Sequence, residues 1–190
     1  MSHLGETFYE RSELLQFNFK HLGKNVKIKR NVGIYFCENI EIFDNVRIDD
    51  FTIIVGSGVG LKIGRNVHVS ARGYFVCLGG IDIESYATLG PNVSLFSASD
   101  DYTDGYLGNG TVCDSLKKLE VKKVILSKGI IIGANSTILP GCKMSFGSSL
   151  GAHSLLKCDT GRFDIFAGTP AKKIGVRKEF NSEILQLLND

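Results

Sequence analysis

The chain has 190 residues, 43% of them hydrophobic and 22% charged, with a formal net charge of +2. This length suffices for one domain with a real core, and the composition is that of an ordinary globular protein. The balanced charge gives no electrostatic case for nucleic acid as the main partner. No segment is long and apolar enough to span a membrane, and the N-terminus lacks the apolar stretch of a secretory leader, so a cytoplasmic location is expected.

Residues 1–21 read as an N-terminal cap segment. Within it Glu13, Leu14, Leu15 and Phe17 suggest a short amphipathic helix over the end of whatever follows. From Leu22 onward an apolar residue recurs about every sixth position. The series runs Leu22, Ile28, Ile34, then Ile42, Ile48, Ile54, then Ile63, Val69, Phe75, then Ile83, Leu89, Leu95. After a break it resumes at Leu126, Ile132 and Ile138, and then at Met144, Leu150 and Leu156. Neither a helix nor a plain strand gives a period of six. A coil with three flat sides does, each side sending one large apolar residue inward. This is the signature of a parallel β-helix, an all-β solenoid of about six coils. Paired rungs about 4.8 Å apart would make it about 25–29 Å tall. The 22 glycines are spread through the repeats, where tight corners need residues that tolerate positive φ.

The wider gaps at Ile34–Ile42, Ile54–Ile63 and Phe75–Ile83 read as small outward bulges at one corner. The interruption after Leu95 is of another kind. The core register stops and then resumes cleanly at Leu126, so residues 97–123 are an insertion out of a coil. Long loops on rigid scaffolds are usually functional or disordered. Tyr102, Tyr106 and Leu107 argue for a loop that packs on something. The repeat domain spans residues 22–175, and residues 176–190 read as a C-terminal helix, with Asn181 or Ser182 as N-cap and Ile184, Leu185, Leu187 and Leu188 as its apolar stripe. The five cysteines are scattered without a C-x-x-C pair, so they read as reduced thiols rather than a metal or redox motif.

The run IIIGANSTILPGCKMSFGSSLGAHSLLKCD and the later FAGTPAKKI resemble the C-terminal half of the hexapeptide-repeat acyltransferases. The pattern is similar to the galactoside and maltose O-acetyltransferases and to sugar acetyltransferases of surface-polysaccharide synthesis. NIEIFDNVRIDD, IGRNVHVSARG and LGPNVSLFSASDDY extend the likeness over nearly the whole chain. The resemblance implies a left-handed β-helix, an exception to the usual right-handed crossover. It also implies a homotrimer with active sites in the clefts between subunits, acetyl-CoA as acyl donor, and no metal. The reaction would place an acetyl group on a hydroxyl or amino group of a sugar or nucleotide-linked sugar.

By that resemblance Ala134 and Ala152, each after a glycine and one coil apart, are cofactor contacts. Lys157 and Cys158 match the next contact point. Lys172 matches a basic residue that faces the cofactor's phosphates, with Lys173 and Arg177 nearby. Arg72 falls where relatives contact the sugar. Asp101 and Tyr102 are loop candidates for the acceptor, as are Tyr106 and Asn109. Asp100 falls where the related sugar O-acetyltransferases carry a catalytic histidine, and residues 96–125 contain no histidine. A carboxylate, with an ordinary pKa of about 3.9 against about 6.5 for histidine, is the weaker base toward a hydroxyl. Three readings follow: Asp100 is a base in an environment that strengthens it, it orients the acceptor while another group takes the proton, or the site is dead. An amine acceptor eases the difficulty, because a free amine attacks a thioester with little base help. His68 is the second catalytic candidate, presented from a neighbouring face or subunit. His153 reads as an exposed corner residue.

Two other classes compete. Trimeric β-helix carbonic anhydrases need three histidines around zinc, and only His68 and His153 lie within the coils, far apart in register. A non-catalytic β-helix trimer that has lost its base is the remaining alternative.

Overall fold

The computed structural model describes residues 7–189, the side chain of Asn189 excepted. The first six residues of the expected cap, and the last of the expected C-terminal helix, lie outside the described residues. Short parallel strands form three sides of a prism. The first sheet has six strands, from His21–Leu22 to Lys143–Met144. The second has eight, from Lys27–Ile28 to Ala171–Val176, and the third has six, from Gly33–Tyr35 to Leu155–Leu156. Together they make six complete coils and the start of a seventh.

The sixfold apolar series is the stacking register itself. Leu22, Ile42, Ile63, Ile83, Leu126 and Met144 pair in sequence along the first sheet. Ile34, Ile54, Phe75, Leu95, Ile138 and Leu156 do so along the third. Ile83 pairs directly with Leu126, so the coil closes as if residues 97–123 were absent. Every predicted inward residue is buried except Leu22 and Ile34, which are partly buried against the core. Both belong to the first coil, which has a rung on one side only. A second inward set, unannounced by the hexad count, fills the corners: Val46, Val67, Ala87 and Ile130.

The short cap helix spans Arg11–Leu14 and continues as a single tighter turn at Leu15–Phe17. Glu13 bonds back to the Glu10 N–H at 2.7 Å and accepts from Arg30 at 2.7 Å. These two bonds, the backbone one foremost, hold its carboxyl below the usual range. Leu14 alone plugs the core, while Leu15 and Phe17 stay exposed. The segment Asp164–Gly168 and Ala171–Val176 forms an antiparallel hairpin on the second sheet, which the hexad pattern does not announce. The C-terminal helix, Ser182–Asn189, is capped by the Asn181 carboxamide, which accepts from the Ile184 N–H at 2.9 Å. Of its expected stripe only Leu188 is buried; Ile184 and Leu187 are exposed.

Corner geometry is strict. Gly60 has φ +89°, and a Cβ there would lie 2.0 Å from the Asn39 carbonyl oxygen of the coil beneath. Left-handed backbone and a clash with fixed backbone each cost of order 1–3 kcal/mol in an L-residue. Gly60→Ala is expected to cost about 2 kcal/mol or more, lowering Tm by about 4–8 °C in a domain of this size. Thermal unfolding followed by circular dichroism checks this, and an unchanged Tm contradicts the corner.

Candidate active site

The insertion leaves the prism at Ser97, whose side chain is fully buried. Its hydroxyl donates to the Val76 carbonyl at 2.8 Å and accepts from the Gly79 N–H at 3.0 Å, fixing the exit point to the coil below. The chain then forms an antiparallel arm, Ala98–Asp100 against Leu119–Val121, with Asp100 opposite Leu119. The loop is therefore anchored at its base. At its tip Tyr102 is 87% exposed, and Tyr106 and Leu107 are exposed too, so whatever they pack on lies outside the described chain.

Asp100 and Asp101 are adjacent but differ in employment. Asp101 organises its own loop, accepting from the N–H groups of Asp104 at 2.8 Å, Thr103 at 3.4 Å and Tyr106 at 3.4 Å. Desolvation pushes its carboxyl up, but these bonds outweigh it and leave the pKa below the usual range. Asp104 pairs with Lys118. Asp100 is half-buried, and among the described residues nothing hydrogen-bonds or ion-pairs with its carboxylate. Gly108 returns over it; a Cβ there would sit 3.3 Å from the Asp100 Cβ.

Two cavities on the third face meet at Asp100. One, of about 750 Å³, runs over the fifth and sixth coils and is lined by Ser99, Asp101, Tyr102, Thr103, Asp104, Lys118, Glu120, Leu139, Pro140, Leu155 and Lys157. The other, of about 410 Å³, runs over the third and fourth coils and is lined by Tyr74, Val76, Leu78, Phe96, Ala98, Ser99, Tyr102, Leu119 and Leu139. The structure thus brings together four residues expected from the sequence: Asp100, Asp101, Tyr102 and Lys157. It adds Tyr74, Phe96, Lys118, Leu119 and Glu120, which the sequence reading missed. Tyr74 and Phe96 had a readable signal. Each directly neighbours an inward residue, Phe75 or Leu95, so alternation turns it outward.

Within one chain the remaining expected residues lie elsewhere. His68 stands on the second sheet, its Nε2 2.8 Å from Asp49, whose other oxygen accepts from Arg47 at 2.7 Å. Desolvation acts upward on Asp49, yet the His68 and Arg47 bonds leave its carboxyl below the usual range. Arg72, Ala134 and Ala152 lie along the corner between the second and third sheets. Gly90, Gly133 and Gly151 line this corner in successive coils, and the close approach of the next coil explains the first two. A Cβ on Gly133 would lie 2.4 Å from the Ala152 N, and one on Gly90 2.8 Å from the Ala134 N. Arg72 takes the left-handed backbone, φ +65°, that Asn92, Asn135 and His153 adopt at the same corner. His153 meets Asn135 at 3.1 Å, which meets Asn92 at 2.8 Å, a ladder that occupies it structurally. Cys158 and Lys172 are exposed. Lys173 is tied to Asp164 at 2.7 Å, and Arg177 donates to the carbonyls of Gly129 and Gly147. No group of three His, Cys, Asp or Glu among the described residues could hold a metal ion. No helix among them is long and apolar enough to cross a membrane.

No family model matches the chain. The dTDP-4-amino-4,6-dideoxy-D-glucose acyltransferase of Escherichia coli is 32% identical over 172 residues, 90% of either chain. The crystal structure of AntD, an N-acyltransferase from Bacillus cereus in complex with dTDP and 3-hydroxybutyryl-CoA, is 35% identical, covers 96% of this chain and 94% of its own, and superposes with TM-score 0.87. A maltose O-acetyltransferase from Clostridium difficile 630, 20% identical with TM-score 0.64 over 94% of this chain and 80% of its own, shares the fold. The chain belongs to the hexapeptide-repeat sugar acyltransferases, whose left-handed β-helix it adopts.

Proposed function

We propose that this enzyme transfers the acetyl group of acetyl-CoA to the amino group of a nucleotide-linked amino sugar, in the cytoplasm, for surface-glycan synthesis. The observation that carries the reading is Asp100, a half-buried carboxylate without a partner in the described chain, at the meeting of two cavities. The names of its relatives support the substrate classes. One is an acyltransferase of a dTDP-linked amino sugar, and another was crystallised with dTDP and an acyl-CoA.

The chemistry follows from the residue type. An amino sugar at neutral pH is largely an ammonium ion, and a carboxylate attracts it, orients it and accepts its proton. The freed amine attacks the thioester carbonyl, the C–N bond forms and the C–S bond breaks. The nitrogen's second proton passes to the departing CoA thiolate, which leaves as the thiol, and Asp100 returns the first proton to solvent. Holding amine and carbonyl together supplies the proximity term, and proton transfer adds the rest. Carboxylate in place of histidine suits an amine better than a sugar hydroxyl, whose O–H proton must be taken by a stronger base as the C–O bond forms.

The cofactor arm is read along the edge of Ala134 and Ala152, with Lys157 at the first cavity and Lys172 near the phosphates, Cys158 beside them. Arg72 and Tyr102 are read on the acceptor side; Asp101 serves there through the loop it holds. His68 reaches an acceptor only from a second copy of the chain. A homotrimer is read from the third face of the first two coils, where Tyr35, Phe36, Phe51 and Ile53 leave an apolar patch of a kind that marks association surfaces. The reading is tested by thiol release from acetyl-CoA. Release is expected with dTDP-4-amino-4,6-dideoxyglucose and not with maltose or galactosides; the reverse preference overturns it.

A further inference from the structure

A proton acceptor must point in a fixed direction, yet no described group hydrogen-bonds to the Asp100 carboxylate. Packing holds it instead. Gly108 lies against the carboxyl: a Cβ there would sit 3.3 Å from the Asp100 Cβ, 3.4 Å from its Cγ and 3.5 Å from its Oδ2. The glycine backbone is thus one wall beside the side chain. Three ties place that wall. The Leu107 N–H donates to the Leu116 carbonyl at 2.9 Å, across the arm. The Asp101 N–H donates to the Lys118 carbonyl at 3.0 Å, one step beyond the paired strands. Between these two bonds the chain turns around the Asp101 carboxylate. Its Oδ2 accepts from the Asp104 N–H at 2.8 Å and the Tyr106 N–H at 3.4 Å, and its Oδ1 accepts from Thr103. Lys118 braces the turn from the opposite strand. Its Nζ pairs with Asp104 and stands 5.8 Å from the centre of the Tyr106 ring.

We infer that Asp101 is a positioning residue: its carboxylate holds the turn that sets Gly108 against Asp100, and so aims Asp100 at the reacting amine. The inference rests on the reading of Asp100 as proton acceptor. Its logic is chemical. A hydrogen-bond donor in the orienting role would stabilise ionised Asp100 and make it a weaker base. A backbone wall fixes the direction of the side chain and leaves the lone pairs of both oxygens open to the ammonium. The hydrogen bonds that orientation needs are made one residue away, by Asp101, where they do not weaken the base. Displacing a catalytic group by about 1 Å costs up to about 10²-fold in rate, so a loosened turn reaches the chemistry without touching substrate.

The test is steady-state kinetics with acetyl-CoA and dTDP-4-amino-4,6-dideoxyglucose on the full chain. Asp101→Ala is expected to lower kcat by about 10–100-fold, with KM for both substrates little changed. Asp101→Asn keeps an oxygen that accepts the same N–H bonds and should recover most of the lost kcat. Gly108→Ala, which presses a methyl on the carboxyl, should lower kcat severalfold by itself. In protein that already carries Asp100→Asn, Asp101→Ala should cost little more, because the group it acts through is gone. The arm stands outside the stacked coils, so Tm should hold in every variant. A loss that lies in the sugar KM, equal in Asp101→Ala and Asp101→Asn, would make Asp101 a binder of the ammonium and overturn the inference. Additive losses in the double variant do the same, as does wild-type kcat in either Asp101→Ala or Gly108→Ala while Asp100→Asn is impaired. Wild-type turnover in Asp100→Asn itself removes the proton-acceptor reading, and the inference with it.

Discussion

Asp100→Asn is expected to lower kcat by about 10²–10⁴-fold, the range for loss of a positioned proton acceptor, with KM for acetyl-CoA little changed and KM for the amino sugar raised by loss of the charge that attracts its ammonium. Asparagine keeps the size and shape of the side chain. The strand pairing of residues 98–100 with 119–121 uses backbone groups only. Since no described group bonds to the carboxylate, its loss leaves nothing unsatisfied in the protein, and the melting temperature should not move. A fall in kcat/KM that appears wholly as a raised sugar KM would mean that Asp100 binds the ammonium and does not take its proton. Turnover equal to wild type, in a variant that melts normally, removes Asp100 from the chemistry.

The scaffold was written in the sequence in a form that could be counted. The inward residue of every side recurs at the hexad because each strand has room for one large side chain between two corners. The stacking Ile42–Ile63–Ile83–Leu126 is therefore legible before any coordinates. Even the insertion is located by that count, since Leu126 resumes the register that Leu95 leaves. Asp100 was singled out by the resemblance alone, at the position where related enzymes carry a histidine, and the structure sets it where the two cavities meet. The composition of the cavities was not legible. Tyr74 and Phe96 become neighbours only because coils stack, twenty-odd residues apart in the chain, and Leu119 reaches Asp100 only because the arm folds back on itself. Nor does sequence order tell employment: Asp100 and Asp101 are equivalent letters, and the backbone turn at Thr103–Tyr106 claims one and leaves the other free. The glycine at Gly133 has a packing duty that the sequence does not announce, since a Cβ there would strike the next coil, and this duty is compatible with Ala134 and Ala152 as cofactor contacts.

Phe75→Ala is expected to destabilise the protein by about 3–5 kcal/mol, the range for truncating a buried aromatic residue, and to lower Tm by about 6–20 °C at the sensitivity of a domain this size. Phe75 is fully buried and stacks between Ile54 and Leu95 in the third sheet. Its ring also fills the space that a side chain at Gly73 would take, where a Cβ would lie 3.3 Å from its Cε1. Truncation therefore opens a void bounded by two neighbouring coils. In a solenoid each coil is stabilised by its two neighbours alone, so a defect in the third coil loosens the contact that carries the first two. The adjacent residue gives the control. Tyr74 lies on the same strand with its side chain on the opposite face, 40% exposed and lining the smaller cavity. Tyr74→Ala should cost about 1 kcal/mol or less in stability, as partly exposed sites do, while raising KM for the amino sugar. One step along the chain would then separate the core from the site. Calorimetry and steady-state kinetics on the pair decide it: equal destabilisation of both variants would mean that the strand's two faces are not divided in this way.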